Sequence, residues 1–61
     1  DATVYRESYR ECERQWRERP SRPEPQPVAM AASWADGYDH ERQPAARTGC
    51  LDAITGKPPK A

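Results

Sequence analysis

Apolar residues in the first third of the chain recur at Tyr5, Tyr9, Cys12 and Trp16. Steps of four, three and four put these side chains on one face of an α-helix. The pattern predicts a helix over residues 3–18, within an amphipathic segment 1–19, capped by Asp1 or Thr3. Beside the apolar face lies a basic strip, Arg6, Arg10, Arg14 and Arg17. An acidic strip, Glu7, Glu11 and Glu18, lies beyond it. Glu13 stands four residues before Arg17, the orientation that favours an intrahelical ion pair.

The pattern then stops. Prolines at 20, 23, 25 and 27 forbid helix and central strand alike, which predicts an extended connector over 20–27. A polyproline II backbone would carry it roughly 28 Å at about 3.1 Å per residue. Pro20 and Pro23 form a Pro-x-x-Pro pattern, read first as part of a semi-rigid spacer and second as an adaptor-domain ligand. Beyond it, Met30 and Trp34 are spaced i, i+4 among alanines, and Pro27 suits a first helical position. A second helix is expected over 28–36, closed by Gly37 in a left-handed cap. One more turn over Tyr38 to Arg42 would complete a region of short helices over 28–43. The small alanine face would let another helix approach closely. The expected architecture is an antiparallel pair, with Tyr5, Tyr9 and Trp16 facing Met30, Trp34 and Tyr38. From Pro44 the tail over 44–61 reads as irregular, apart from a single turn capped by Thr48 that carries Cys50, Leu51 and Ile54 and stops at Gly56. The fold class is therefore small all-α with few secondary structures.

Composition makes that fold precarious. The 61 residues include no Phe and one each of Leu, Ile and Met, and apolar residues make up only 34%. Globular domains commonly hold about 45–50%. Tyr5, Tyr9, Trp16, Met30, Trp34, Tyr38, Leu51 and Ile54 are the large side chains available for a core. So few cannot offset the entropy of ordering the backbone without help. The help is either a covalent tie or a partner's surface. A Cys12–Cys50 disulfide would close a loop of 39 residues, counted inclusively, between the chain's 2 cysteines. The chain-entropy model assigns such a loop about 4 kcal/mol. It would also pin the tail turn across the first helix, with Leu51 and Ile54 near Tyr9 and Trp16.

Charge narrows the chemistry. Ten basic residues balance ten acidic ones. Chains that bind polyanions carry a basic excess, so nucleic acid is an unlikely partner. Trp16 and Tyr9 could stack on bases, but Glu7, Glu11, Glu13 and Glu18 on the same helix repel phosphate. No apolar run is long enough to cross a membrane. Cys12, Cys50, His40 and Asp39 lack the close-paired spacing of a zinc site, so no metal or other cofactor is expected. Asp36, Asp39, His40 and Glu41 cluster in sequence, and Cys50 with His40 could form a nucleophile pair. A chain this short can hardly build the pocket such a pair needs, so no catalytic residue is assigned.

Binding is what remains. Trp, Tyr and Arg are enriched at interface hot spots. The sequence points to a non-enzymatic accessory or interaction subunit that docks on a larger protein or protein complex. Its anchors would be Tyr5, Tyr9, Trp16 and Trp34, with Arg6, Arg10 and Arg17 at the rim. A bridged Cys12 and Cys50, and an N-terminal Asp1 that fits a processed end, suit a bacterial periplasmic or secreted setting. The alternative is a small regulatory or nucleic-acid-associated cytoplasmic protein with both cysteines reduced.

Overall fold

The computed structural model describes residues 2–18 and 26–59, and every statement below concerns these residues. Three helices form: α1 (Ala2–Glu18), α2 (Pro27–Ala35) and α3 (Gln43–Ile54). The connector and its Pro-x-x-Pro pattern fall mostly in 19–25, outside the described residues.

The first helix forms where the periodicity places it, starting one residue earlier. Thr3 lies inside its first turn rather than at the cap, and Asp1 is outside the described residues. The pair between Arg17 and Glu13 is present at 3.8 Å. The second helix starts at Pro27, whose missing N–H is no loss in a first turn. Gly37 does not adopt the left-handed conformation expected of it: Gly56 is the one described residue with a positive φ. Instead α2 tightens at its end, with Gly37 N–H donating to Trp34 O and Tyr38 N–H to Ala35 O. These i→i+3 bonds satisfy the last carbonyls without an αL residue.

The tail is the main correction. Residues 44–54, expected to be irregular apart from one turn, belong to a twelve-residue helix, α3, and only 55–59 of the described tail lie outside it. Pro44, read from sequence as a stop, sits in the first turn of this helix, where it is tolerated. Asp39 organises the turn before it. Its Oδ1 accepts the Arg42 N–H at 3.0 Å, its carbonyl accepts the N–H groups of Arg42 and Gln43, and its carboxylate pairs with the Arg42 guanidinium. The expected extra turn over Tyr38 to Arg42 is thus the approach to α3. At the far end Gly56, with φ +82°, makes the stop that the sequence indicates. Lys57 N–H reaches Asp52 O at 2.9 Å and Gly56 N–H reaches Ala53 O at 3.4 Å, a Schellman closure.

The expected α1–α2 pair is also revised, because α3 is the principal partner of both helices. Val4 shares a buried cluster with Ala46, Gly49 lies on Tyr5 and Ser8, and Cys12 is bonded to Cys50. These contacts advance together, so α1 and α3 run in the same sense. The second helix runs the other way: Ala35 joins Val4 and Ala46, while Ala31 joins Cys12, Cys50 and Ile54.

The interior is made of small side chains. Ser8, Cys12, Ala31, Ala46 and Cys50 are fully buried. The large residues expected in the core are mostly half-buried at its edge: Tyr9, Trp16, Met30, Trp34, Tyr38 and Leu51. Small side chains let the helix backbones approach closely. Gly49 shows how closely, since a Cβ built on it would lie 3.1 Å from Ser8 Cβ and well inside contact with the Tyr5 carbonyl oxygen. The alanine face of α2 serves the close approach that its sequence suggests, with Ala31 and Ala35 buried.

Candidate functional site

The Cys12–Cys50 bridge is formed, with Cα atoms 5.1 Å apart and both residues at 0% exposure. It fastens α1 to α3 next to the point where Gly49 lets them touch. Beside it, the Tyr5 hydroxyl donates to Asp52 Oδ2 at 2.7 Å. Asp52 is a buried carboxylate, a costly group to bury unless it is hydrogen-bonded, and Tyr5 supplies that bond. Tyr5 is therefore part of the interior. Its ring lies 6.2 Å from that of Tyr9, whose hydroxyl donates to Lys57 O at 2.6 Å. The two tyrosines tie the last turn of α3 and the segment just beyond it to α1.

Trp16 lies one turn beyond Cys12 on α1. It packs on the cluster of Cys12, Ala31, Cys50 and Ile54, as do Met30 and Leu51. Trp16, Leu51 and Ile54 thus share the cluster around the bridge, as the sequence suggests, whereas Tyr9, expected there too, is not part of it. Arg6 and Arg17 are exposed on the outer face of α1.

Arg10 and Trp34, two of the expected partner-binding residues, meet at a groove. It lies between α1 and the end of α2, encloses about 330 Å³ and is lined by Glu7, Arg10, Glu11, Trp34 and Tyr38. Local periodicity builds both walls. Glu7 and Glu11 are one helical turn apart on α1, and Trp34 and Tyr38 are four residues apart at the end of α2. The two aromatic rings are 6.0 Å apart and inclined at 52°. Trp34 Nε1 donates to Ser8 Oγ at 2.8 Å, which fixes the indole against α1. Gln43 Nε2 donates to Tyr38 O at 3.1 Å and holds the loop behind the second ring.

The charges around the groove divide into committed and open ones. Arg14 bonds Glu11 at 2.6 Å and approaches Glu18 at 3.4 Å. The Glu11 hydrogen bond, and then the charges of Glu11 and Glu18, raise the Arg14 guanidinium above its ordinary pKa. Glu7 and Arg10 make no ion pair among the described residues. What the groove offers is thus an aromatic wall, one open carboxylate and one open guanidinium.

Four functional positions escape a reading based on large apolar residues. Ser8 and Gly49 are small, Asp52 is charged, and Glu7 looks like an ordinary surface acid. One sequence signal does exist for Ser8. Val4, Ser8 and Cys12 form an uninterrupted i, i+4 row, and this row points into the fold more directly than Tyr9 or Trp16.

Among the described residues no group of three or more His, Cys, Asp or Glu side chains is placed to hold a metal ion. No described helix is long and apolar enough to cross a membrane. No protein-family model, curated protein or solved structure matches this chain.

Proposed function

We propose that this chain is a non-enzymatic binding module that docks on a larger protein through its aromatic groove. The observation that carries this reading is the division of labour among side chains. The fully buried positions are filled by small side chains, Ser8, Cys12, Ala31, Ala46 and Cys50, whereas Trp34 and Tyr38 stay half-buried beside the exposed Arg10. Aromatic and Arg side chains are the usual anchors of interfaces, and here Trp34 and Tyr38 pack on the core with one side while still lining the groove. The Ser8 bond to the indole supports the same reading, because an anchor that is already ordered loses less entropy on binding.

A buried disulfide is at home in an oxidising compartment, which supports a periplasmic or secreted setting, in a bacterium by the reading of the sequence. The acidic groove wall argues against the alternative of a cytoplasmic nucleic-acid-associated protein, since Glu7 and Glu11 flank the rings on which a base would stack.

Site-specific photo-crosslinking tests the proposal. Benzoylphenylalanine replaces Arg10 in the groove or, as a control, the exposed Arg47 on α3. The oxidised chain is then irradiated in its own secreting cells. A discrete adduct from position 10, competed by excess unlabelled chain but not by a Tyr38→Ala chain, is expected. Equal adducts from both positions, or adducts that excess chain does not compete away, would overturn it.

A further inference from the structure

Resting on that docking reading, we infer what the groove recognises: a surface segment of the partner protein that presents an arginine next to an acidic residue. The argument runs from the open groups. Trp34 has its indole N–H committed to Ser8, so what it offers a ligand is ring surface. Tyr38 stands beside it at an inclination of 52°, so the two rings form a bent wall rather than a flat stack. A guanidinium is planar, weakly hydrated and attracted to an aromatic face, and its aliphatic stem covers apolar area. An ammonium is a compact, strongly hydrated charge and suits such a wall less well.

Charge fixes the rest. Glu11 is held from outside the groove by Arg14, which leaves Glu7 as the open carboxylate on the α1 wall. An incoming arginine that lies along Trp34 and Tyr38 reaches this carboxylate. Arg10 would repel an isolated cation at the same mouth. It becomes favourable only if the incoming segment also carries a carboxylate. The complement of one open acid, one open base and an aromatic wall is therefore an Arg–Glu or Arg–Asp pair on a partner surface. A lone lysine, or a polyanion, leaves one of these groups opposed.

The probe is the blocked peptide acetyl-Ala-Arg-Glu-Ala-amide, titrated into the oxidised, isotope-labelled chain and followed by two-dimensional amide and indole NMR. Saturable shifts are expected at the Trp34 indole N–H and at amides 7–11 and 34–38. Norleucine in place of the peptide arginine should abolish them. Glu7→Gln should weaken the arginine peptide by about two- to fivefold, the size of one exposed cation–π or ion-pair contribution. Arg10→Gln should weaken it similarly, but should slightly strengthen a peptide with Gln in place of Glu, because the repulsion of the peptide arginine is relieved. Both substitutions are on exposed positions, so the fold survives them. Equal shifts with the norleucine peptide, or no saturable shift with the arginine peptide, would sink the inference. If the position-10 crosslink is still specific in that case, the docking reading stands and only the occupant is wrong.

Discussion

The α1–α3 crossing and the α1–α2 groove are built from the same first helix, yet they follow opposite rules. At the crossing the residues are small: Ser8 and Cys12 meet Gly49 and Cys50, and backbone lies almost on backbone. At the groove the residues are large: Trp34 and Tyr38 hold the end of α2 away from Glu7 and Glu11, and a cleft remains. Close packing of small side chains gives dispersion contacts and excludes water, but it leaves nothing to read from outside. Large side chains propped at an edge do the reverse. A chain with few large apolar residues can have both only by separating them. It closes the centre of its core with alanines, a serine, a glycine and one covalent bond, and keeps every aromatic but Tyr5 among the described residues at the rim.

Perturbations rank this contrast. The largest effect is expected from removing the bridge. Replacing both Cys12 and Cys50 by Ser should cost about 4 kcal/mol. That is close to the whole stability such a small core supplies. Circular dichroism with denaturant titration should show a largely unfolded chain at room temperature. A sharp, undiminished transition would mean that small-residue packing suffices without the covalent tie.

Gly49→Ala strikes the crossing itself. The new Cβ meets the Tyr5 carbonyl, which is backbone and cannot rotate aside, so α1 and α3 must separate. Overpacking of this kind costs about 1–3 kcal/mol. The matched control is Gly37→Ala, whose Cβ would meet nothing closer than Trp34 O at an ordinary 3.6 Å. It should leave the denaturation midpoint nearly unchanged. If the two variants behave alike, the close approach of α1 and α3 is not what the fold depends on.

Tyr5→Phe should follow, at about 1–3 kcal/mol, because it strips a buried carboxylate of its hydroxyl donor. The companion variant Tyr5→Phe/Asp52→Leu should recover part of that loss, since no buried charge is then left unpaired. Ser8→Ala is expected to be milder, about 0.5–1.5 kcal/mol, because the half-exposed indole N–H can turn to water. Its more telling readout is local: faster hydrogen exchange at the Trp34 indole and weaker arginine-peptide binding. A change in global stability without either would mean that Ser8 serves the crossing alone, and the comparison between the two regions would need redrawing.

Part of this was legible in the residues. Helix α1 follows from an unbroken helical periodicity, the start of α2 from Pro27, and the end of α3 from Gly56. The Cys12–Cys50 pairing follows from there being only two cysteines, whereas the choice between a bridge and a partner's surface does not follow from the residues. Trp34 and Arg10 are interface-prone residue types by their chemistry alone, but nothing in their positions along the chain says that they share a groove. What escaped were the features that depend on a neighbour. Pro44 reads as a break or a first turn depending on what comes after it. Gly49 lowers local helix propensity by about 1 kcal/mol, and only the approach of α1 makes it the residue that fits. Tyr5 and Tyr9 look equivalent along the stripe, yet one bonds a buried acid and the other a surface carbonyl.

Residue types and their spacing are enough to make this protein helical, poor in large core residues and open to a single cysteine pairing. These are properties of single residues and their spacing, which local sterics and hydrophobicity convert directly into structure. Only the tertiary structure decided that α3 exists as a full helix and sits between the other two. It also decided that the core is made of small side chains, and that Glu7, Arg10, Trp34 and Tyr38 share one groove. Those outcomes depend on distances between residues far apart in the chain. Such distances are set by how closely backbones can approach, a quantity carried by residues that seem featureless when read one at a time.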